Sequence, residues 1–215
     1  MYTKKILCTG FFAILLLIFC TMPVLAYPPD ATGWYAQGNS LMKNKNYTEA
    51  IAAYDHATAL APDYYEAWNG KADGLNRAQL FKDALAASDT TLSLNPEYVQ
   101  GWINRGYILY NLGRNDDELK AYEKAISIDP SSPDAWFNKG YSLAGMKRYD
   151  EAITAFDKVK SLDPNYPNLA ANRRIAEQSR EAATPWYVKN ALTVGIIALF
   201  FVGAIAWFIS VRKKY

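Results

Sequence analysis

Tryptophan recurs at one fixed interval through the middle of this 215-residue chain, at Trp34, Trp68, Trp102 and Trp136. Pro62, Pro96, Pro130 and Pro164 keep the same interval. A fixed period of roughly 20–50 residues marks a stacked array of like units, none of which can bury its apolar face alone. The remaining positions make each unit a helix pair. Four residues after each Trp comes a small residue (Gly38, Ala72, Gly106, Gly140), and three further on a leucine (Leu41, Leu75, Leu109, Leu143). Trp, small residue and Leu therefore share one helical face, and the four indoles are expected to be mostly buried. The second helix carries Tyr47, Phe81 and Tyr149 near its start, then Ala50, Ala84 and Ala152, then Tyr54, Tyr122 and Phe156. Small residues let two helices approach closely, and aromatics fill the space between successive pairs. The proline ends each second helix.

This pattern resembles the tetratricopeptide repeat (TPR), a 34-residue helix pair with Trp, Gly, Tyr, Ala, Phe and Pro at set positions. The resemblance covers residues 31–166, divided as 31–64, 65–98, 99–132 and 133–166. It implies an all-α, right-handed α-solenoid of four helix pairs. Residues 167–183 resume the helical pattern with Arg173, Arg174, Glu177, Arg180 and Glu181, which suits a polar capping helix. The sequence departs from the family in three places. Gln37, Lys71, Arg105 and Lys139 stand before the small residue where the family often has Leu, so that edge is expected to be wet. Ser88 and Thr91 are expected to weaken the packing of the second repeat. In the third, Asn115 replaces an aromatic and Glu118 a small residue. Asn115 could cap the helix, with Asp116 and Asp117 in its first turn and Glu118 reaching back. A cation site at Asp116-Asp117-Glu118 is the alternative, but consecutive carboxylates point different ways around a helix.

The ends fix the expected location. Residues 1–26 read as a signal peptide: Lys4 and Lys5, an apolar stretch, then Val24-Leu25-Ala26 before Pro28 and Pro29. Ala191 to Val211 is an uncharged block, flanked by Trp186 and Tyr187 on one side and Arg212-Lys213-Lys214 on the other. Residues 186–211 read as one transmembrane helix in the lipid bilayer. Basic residues stay inside, so the repeats are expected outside the cell membrane and residues 212–215 in the cytoplasm. Cys8 and Cys20 both lie in the first block, so a processed chain has no cysteine for a disulfide, thiol nucleophile or metal. Six of the 23 basic residues flank the two apolar blocks, leaving 17 against 21 acidic ones. A mildly acidic surface gives no footprint for nucleic acid.

No catalytic, metal or cofactor pattern emerges, and an enzyme is not expected. His56, the one histidine, stands beside Asp55, and adjacent residues on a helix do not face each other. What the resemblance implies instead is a peptide groove lined by residues one, two and five positions after each Trp. The candidates are Asn39, Asn69, Asn104 and Asn138, whose amides could pair with an extended backbone, and Tyr107, Phe137 and Tyr141, which could take side chains. The same amides could equally bond neighbouring helices. Repeats that clamp acidic chaperone tails use cations where this chain has Tyr35, Asn39, Gly70, Gln100 and Asn104, so acidic tails are poor candidates. The expected function is a membrane-anchored protein- or peptide-binding scaffold. The alternative is a structural unit of the cell envelope that self-assembles as a homo-oligomer. Asn46-Tyr47-Thr48 matches the N-glycosylation pattern and places Asn46 in an exposed turn.

Overall fold

A computed structural model describes residues 27–212. The expected signal peptide, Lys213 and Lys214 lie outside the described residues. The chain divides between Pro96 and Glu97 into two compact units. Among the described residues the regular structure is helical throughout, with no strand. The first unit holds α1 (Pro29–Lys43), α2 (Tyr47–Leu60), α3 (Tyr65–Arg77) and α4 (Phe81–Leu94). The second holds α5 (Val99–Asn111), α6 (Asn115–Ile128), α7 (Pro133–Gly145), α8 (Tyr149–Leu162), α9 (Leu169–Ala183), α10 (Trp186–Lys189) and α11 (Ala191–Arg212). Within each unit consecutive helices pack as hairpins, and the second helix of one hairpin packs on the first of the next. This is the stacked-pair packing of an all-α solenoid.

Both landmark residues of the period serve one turn. The indole Nε1 of Trp68 donates to the carbonyl of Pro62 at 2.9 Å, and that of Trp136 to Pro130 at 3.0 Å. Trp68 and Trp136 are thereby held over the turn, and all four indoles keep only a minor part of their surface exposed, as expected of mostly buried rings. Among the described residues the fully buried aromatics are Tyr54, Tyr122 and Phe156 on the second helices. Glycine on the facing helix makes room for them. A Cβ on Gly38 or Gly70 would stand 2.6 Å from the Tyr54 ring, one on Gly140 2.9 Å from Phe156, and one on Gly106 would overlap Tyr122. The second repeat reverses the sizes: Ala72 takes the glycine position and buried Ser88 the aromatic one. Its packing is thus a swap of volumes.

The turn inside each hairpin has one residue in the left-handed region: Lys45, Gln79, Gly113 and Lys147, with φ of 60°, 63°, 70° and 63°. These four again keep the period of the tryptophans. The left-handed residue lets the next amide reach back to the helix end, as Asn46 N does to Leu41 O at 3.0 Å and Arg148 N to Leu143 O at 2.9 Å. Three of the four turns use a non-glycine residue, at a cost of roughly 1 kcal/mol each.

The edge expected to be wet is solvent-accessible and also paired. Lys71 meets Asp55 of the preceding helix at 2.6 Å, Lys139 meets Glu123 at 2.9 Å, and Arg173 meets Asp157 at 2.7 Å. The interval between acid and base is the same each time, so both sit at fixed places in the period. Arg173 belongs to α9, whose Leu169 and Ala176 are buried against the last pair. The cap thus docks as the first helix of a further repeat.

Beyond α9 the chain makes the short α10, turns at Asn190 and enters α11, in place of one unbroken helix from 186. Among the described residues no helix is long and apolar enough to cross a membrane. Helix α11 has 22 residues and Arg212 is its one charge.

Candidate peptide-binding groove

Each unit presents its own part of the expected groove. In the first, Asn39 is committed to the core: its Oδ1 accepts from the buried Tyr54 hydroxyl at 2.7 Å. Asn69 is buried on α3. In the second, the Asn104 side chain accepts from Gln100 Nε2 at 3.1 Å, and Asn138 Nδ2 donates to the Asp134 carbonyl at 2.9 Å. Asn39 thus bonds the neighbouring helix, whereas Asn104 and Asn138 bond residues of their own helices. Asn46 is exposed in its turn. His56 is exposed and stacks on Trp34 with ring centroids 4.4 Å apart.

The aromatic candidates of the second unit converge. Tyr107 and Tyr110 from α5 and Phe137 and Tyr141 from α7 rim a pocket of about 290 Å³, with Tyr122 and Glu118 of α6 beneath. Tyr107, Tyr110 and Tyr141 are 47%, 43% and 49% exposed, high for rings of this size. Tyr107 and Tyr110 lie nearly parallel, 6.5 Å between centroids, and Tyr110 meets Tyr141 edge-on at 6.4 Å. Phe137 is fixed from behind by Phe156 at 5.7 Å and Tyr166 at 4.8 Å.

The floor is not evident from the sequence pattern. Glu118 is only 1% exposed and turns into the hairpin where the other repeats have alanine. It does not reach back to its own helix start. Arg114, not Asn115, is the cap residue, with no side-chain cap bond, and Arg114 pairs with Asp117 at 2.5 Å. One carboxylate oxygen of Glu118 accepts from Ser142 Oγ; the other has no partner. Loss of water raises the Glu118 carboxyl above the usual range, and the Ser142 hydrogen bond offsets this in part. Burial also raises the Tyr122 hydroxyl, helped by nearby Glu118. The signal for this site was an acid at a position reserved for small residues. No basic residue lines the pocket, and among the described residues no cluster of acids and histidines suits a metal ion.

Models of the tetratricopeptide repeat match residues 31–64 and 133–166, and a TPR repeat model matches 106–147. No curated protein matches the chain. Among solved structures, a thermophilic TPR protein from Thermus thermophilus is 17% identical, with TM-score 0.64, over 79% of this chain and 95% of its own. YrrB, described as a TPR protein with an unusual peptide-binding site, is 23% identical, with TM-score 0.55, over 72% and 79%. The first TPR of Spaghetti, bound to an HSP90 peptide, is 21% identical, with TM-score 0.52, over 54% and 93%. At these identities the likeness is one of fold.

Proposed function

We propose that this chain, which carries tetratricopeptide repeats, is a scaffold that binds a protein or extended peptide and is held at the outer face of the cell membrane. The observation that carries the binding reading is the group of exposed tyrosines around one pocket, Tyr107, Tyr110 and Tyr141. Rigid aromatic rings supply contact area at low entropic cost, which is why they anchor interfaces. Two similar structures are described as peptide-binding or peptide-bound, and the same use of the fold is extended here to this chain.

The anchor reading rests on α11. Leu199, Phe200, Phe201, Ile205 and Trp207 are all exposed, and α11 packs on no described helix but α10. A helix apolar on every side belongs in a core or a membrane. The anchor is proposed on this exposed apolar surface together with the uncharged block Ala191 to Val211 of the sequence.

The test of binding compares capture by the full detergent-solubilised chain with capture by a Tyr107→Ala/Tyr141→Ala variant. A partner kept by the wild type and lost by the variant supports the reading; identical captured sets overturn it. Sedimentation of the same samples separates the alternative, since a self-assembling unit would associate with itself at rising concentration.

A further inference from the structure

We infer that the pocket of the second unit binds an ammonium group, seated among Tyr107, Tyr110, Phe137 and Tyr141, with the Glu118 carboxylate as its counter-charge. For its peptide arm this deepens the binding function proposed above, the ammonium being that of a lysine side chain.

Three observations converge. The rim is aromatic on both sides, from α5 and from α7. Aromatic faces carry partial negative charge and attract cations, most strongly where water is excluded. The floor holds a carboxyl group withdrawn from water with one oxygen unpaired. A buried carboxylate without a partner is costly, and a cation is the partner that removes that cost. Finally, no lining side chain supplies a positive charge, so the cation must come from outside. Anionic ligands are disfavoured by the same geometry, since they would meet Glu118 and the electron-rich ring faces. At about 290 Å³ the pocket has room for a four-carbon stem and its ammonium head.

The acid is also poorly explained by stability. The other repeats place Ala50, Ala84 and Ala152 here, all buried. A carboxyl group at this position stabilises less than the methyl it replaces, and Ser142 satisfies half of it. A residue that departs from its own repeat in the unfavourable direction, at the base of the aromatic pocket, points to a ligand.

The test uses the full chain in detergent with three probes: n-butylammonium chloride, a blocked extended tripeptide with central lysine, and the same tripeptide with central norleucine. Binding is followed by calorimetry. The lysine peptide should bind about tenfold more tightly than the norleucine peptide, and Glu118→Gln should reduce that ratio to about twofold or less. Tyr141→Leu, at an exposed position, should weaken lysine and butylammonium binding by about threefold or more with the thermal midpoint unchanged, which keeps the test valid if Glu118→Gln destabilises the fold. Tighter binding of the lysine peptide than of butylammonium assigns the site to a polypeptide side chain; equal binding assigns it to free amines. Both peptides binding equally, unaffected by Glu118→Gln, would overturn the ammonium site while leaving a peptide scaffold standing. Butylammonium bound but no peptide bound would keep the site and remove the scaffold. No binding by any probe overturns the inference.

Discussion

At Gly106 a Cβ would overlap the Tyr122 ring, so Gly106→Ala forces a large buried side chain aside. Overpacking of this kind costs about 1–3 kcal/mol, read as a lower thermal midpoint. The second repeat shows the cure, since buried Ala72 takes the place of the glycine there and buried Ser88 that of the ring. In a Tyr122→Ser background the added cost of Gly106→Ala should therefore nearly vanish, and a double-mutant cycle measures this directly. The left-handed turns give the converse case. Lys147→Gly relieves a strained φ of 63° and should stabilise by about 0.5 kcal/mol, whereas Gly113→Ala should cost about 1 kcal/mol. Denaturant midpoints of the two variants should move in opposite directions. The sequence hides these turns because lysine and glutamine fill three of the four positions, and neither marks a left-handed conformation. The helix pairs were legible at once, since Trp and Pro keep a strict period and a small residue, Gly or Ala, follows each Trp at one spacing.

Between elements, charge replaces apolar contact along one edge. Lys139 and Glu123 lie on adjacent helices and are half-exposed, so Lys139→Glu should destabilise by no more than about 1 kcal/mol, and the added Glu123→Lys should restore the midpoint. This pairing escaped the sequence because the acid stands a whole helix before its base, and only stacking joins them. Glu118 escaped for a different reason: next to Asp116 and Asp117 it looked like first-turn charge, and only the helical phase turns it inward. Its effect on stability has a definite sign. Burial raises its folded pKa above the unfolded value, so the unfolded chain binds fewer protons there between the two values. Stability should fall as pH rises from the ordinary glutamate range through the folded pKa, and Glu118→Gln should flatten that slope in melts between about pH 4 and 7.

For the whole molecule, the proposed topology makes one clear demand. Protease added to intact cells or spheroplasts should digest residues 27–183 and leave a small membrane-bound C-terminal fragment, because basic ends stay inside while a mildly acidic repeat region crosses. Repeats that survive until the membrane is broken would place them in the cytoplasm. The rows of paired charge have a separate consequence for how the array can change length. Excising residues 133–166 would bring Arg173 to the place of Lys139, opposite Glu123, and the ion pair would be rewritten without a new mutation. Glu118 would fare differently: Ser142 would go and Ala176 would arrive, leaving the acid with neither oxygen bonded. At this join the charged edge would accept the base of the incoming helix, whereas the buried acid would lose its partner.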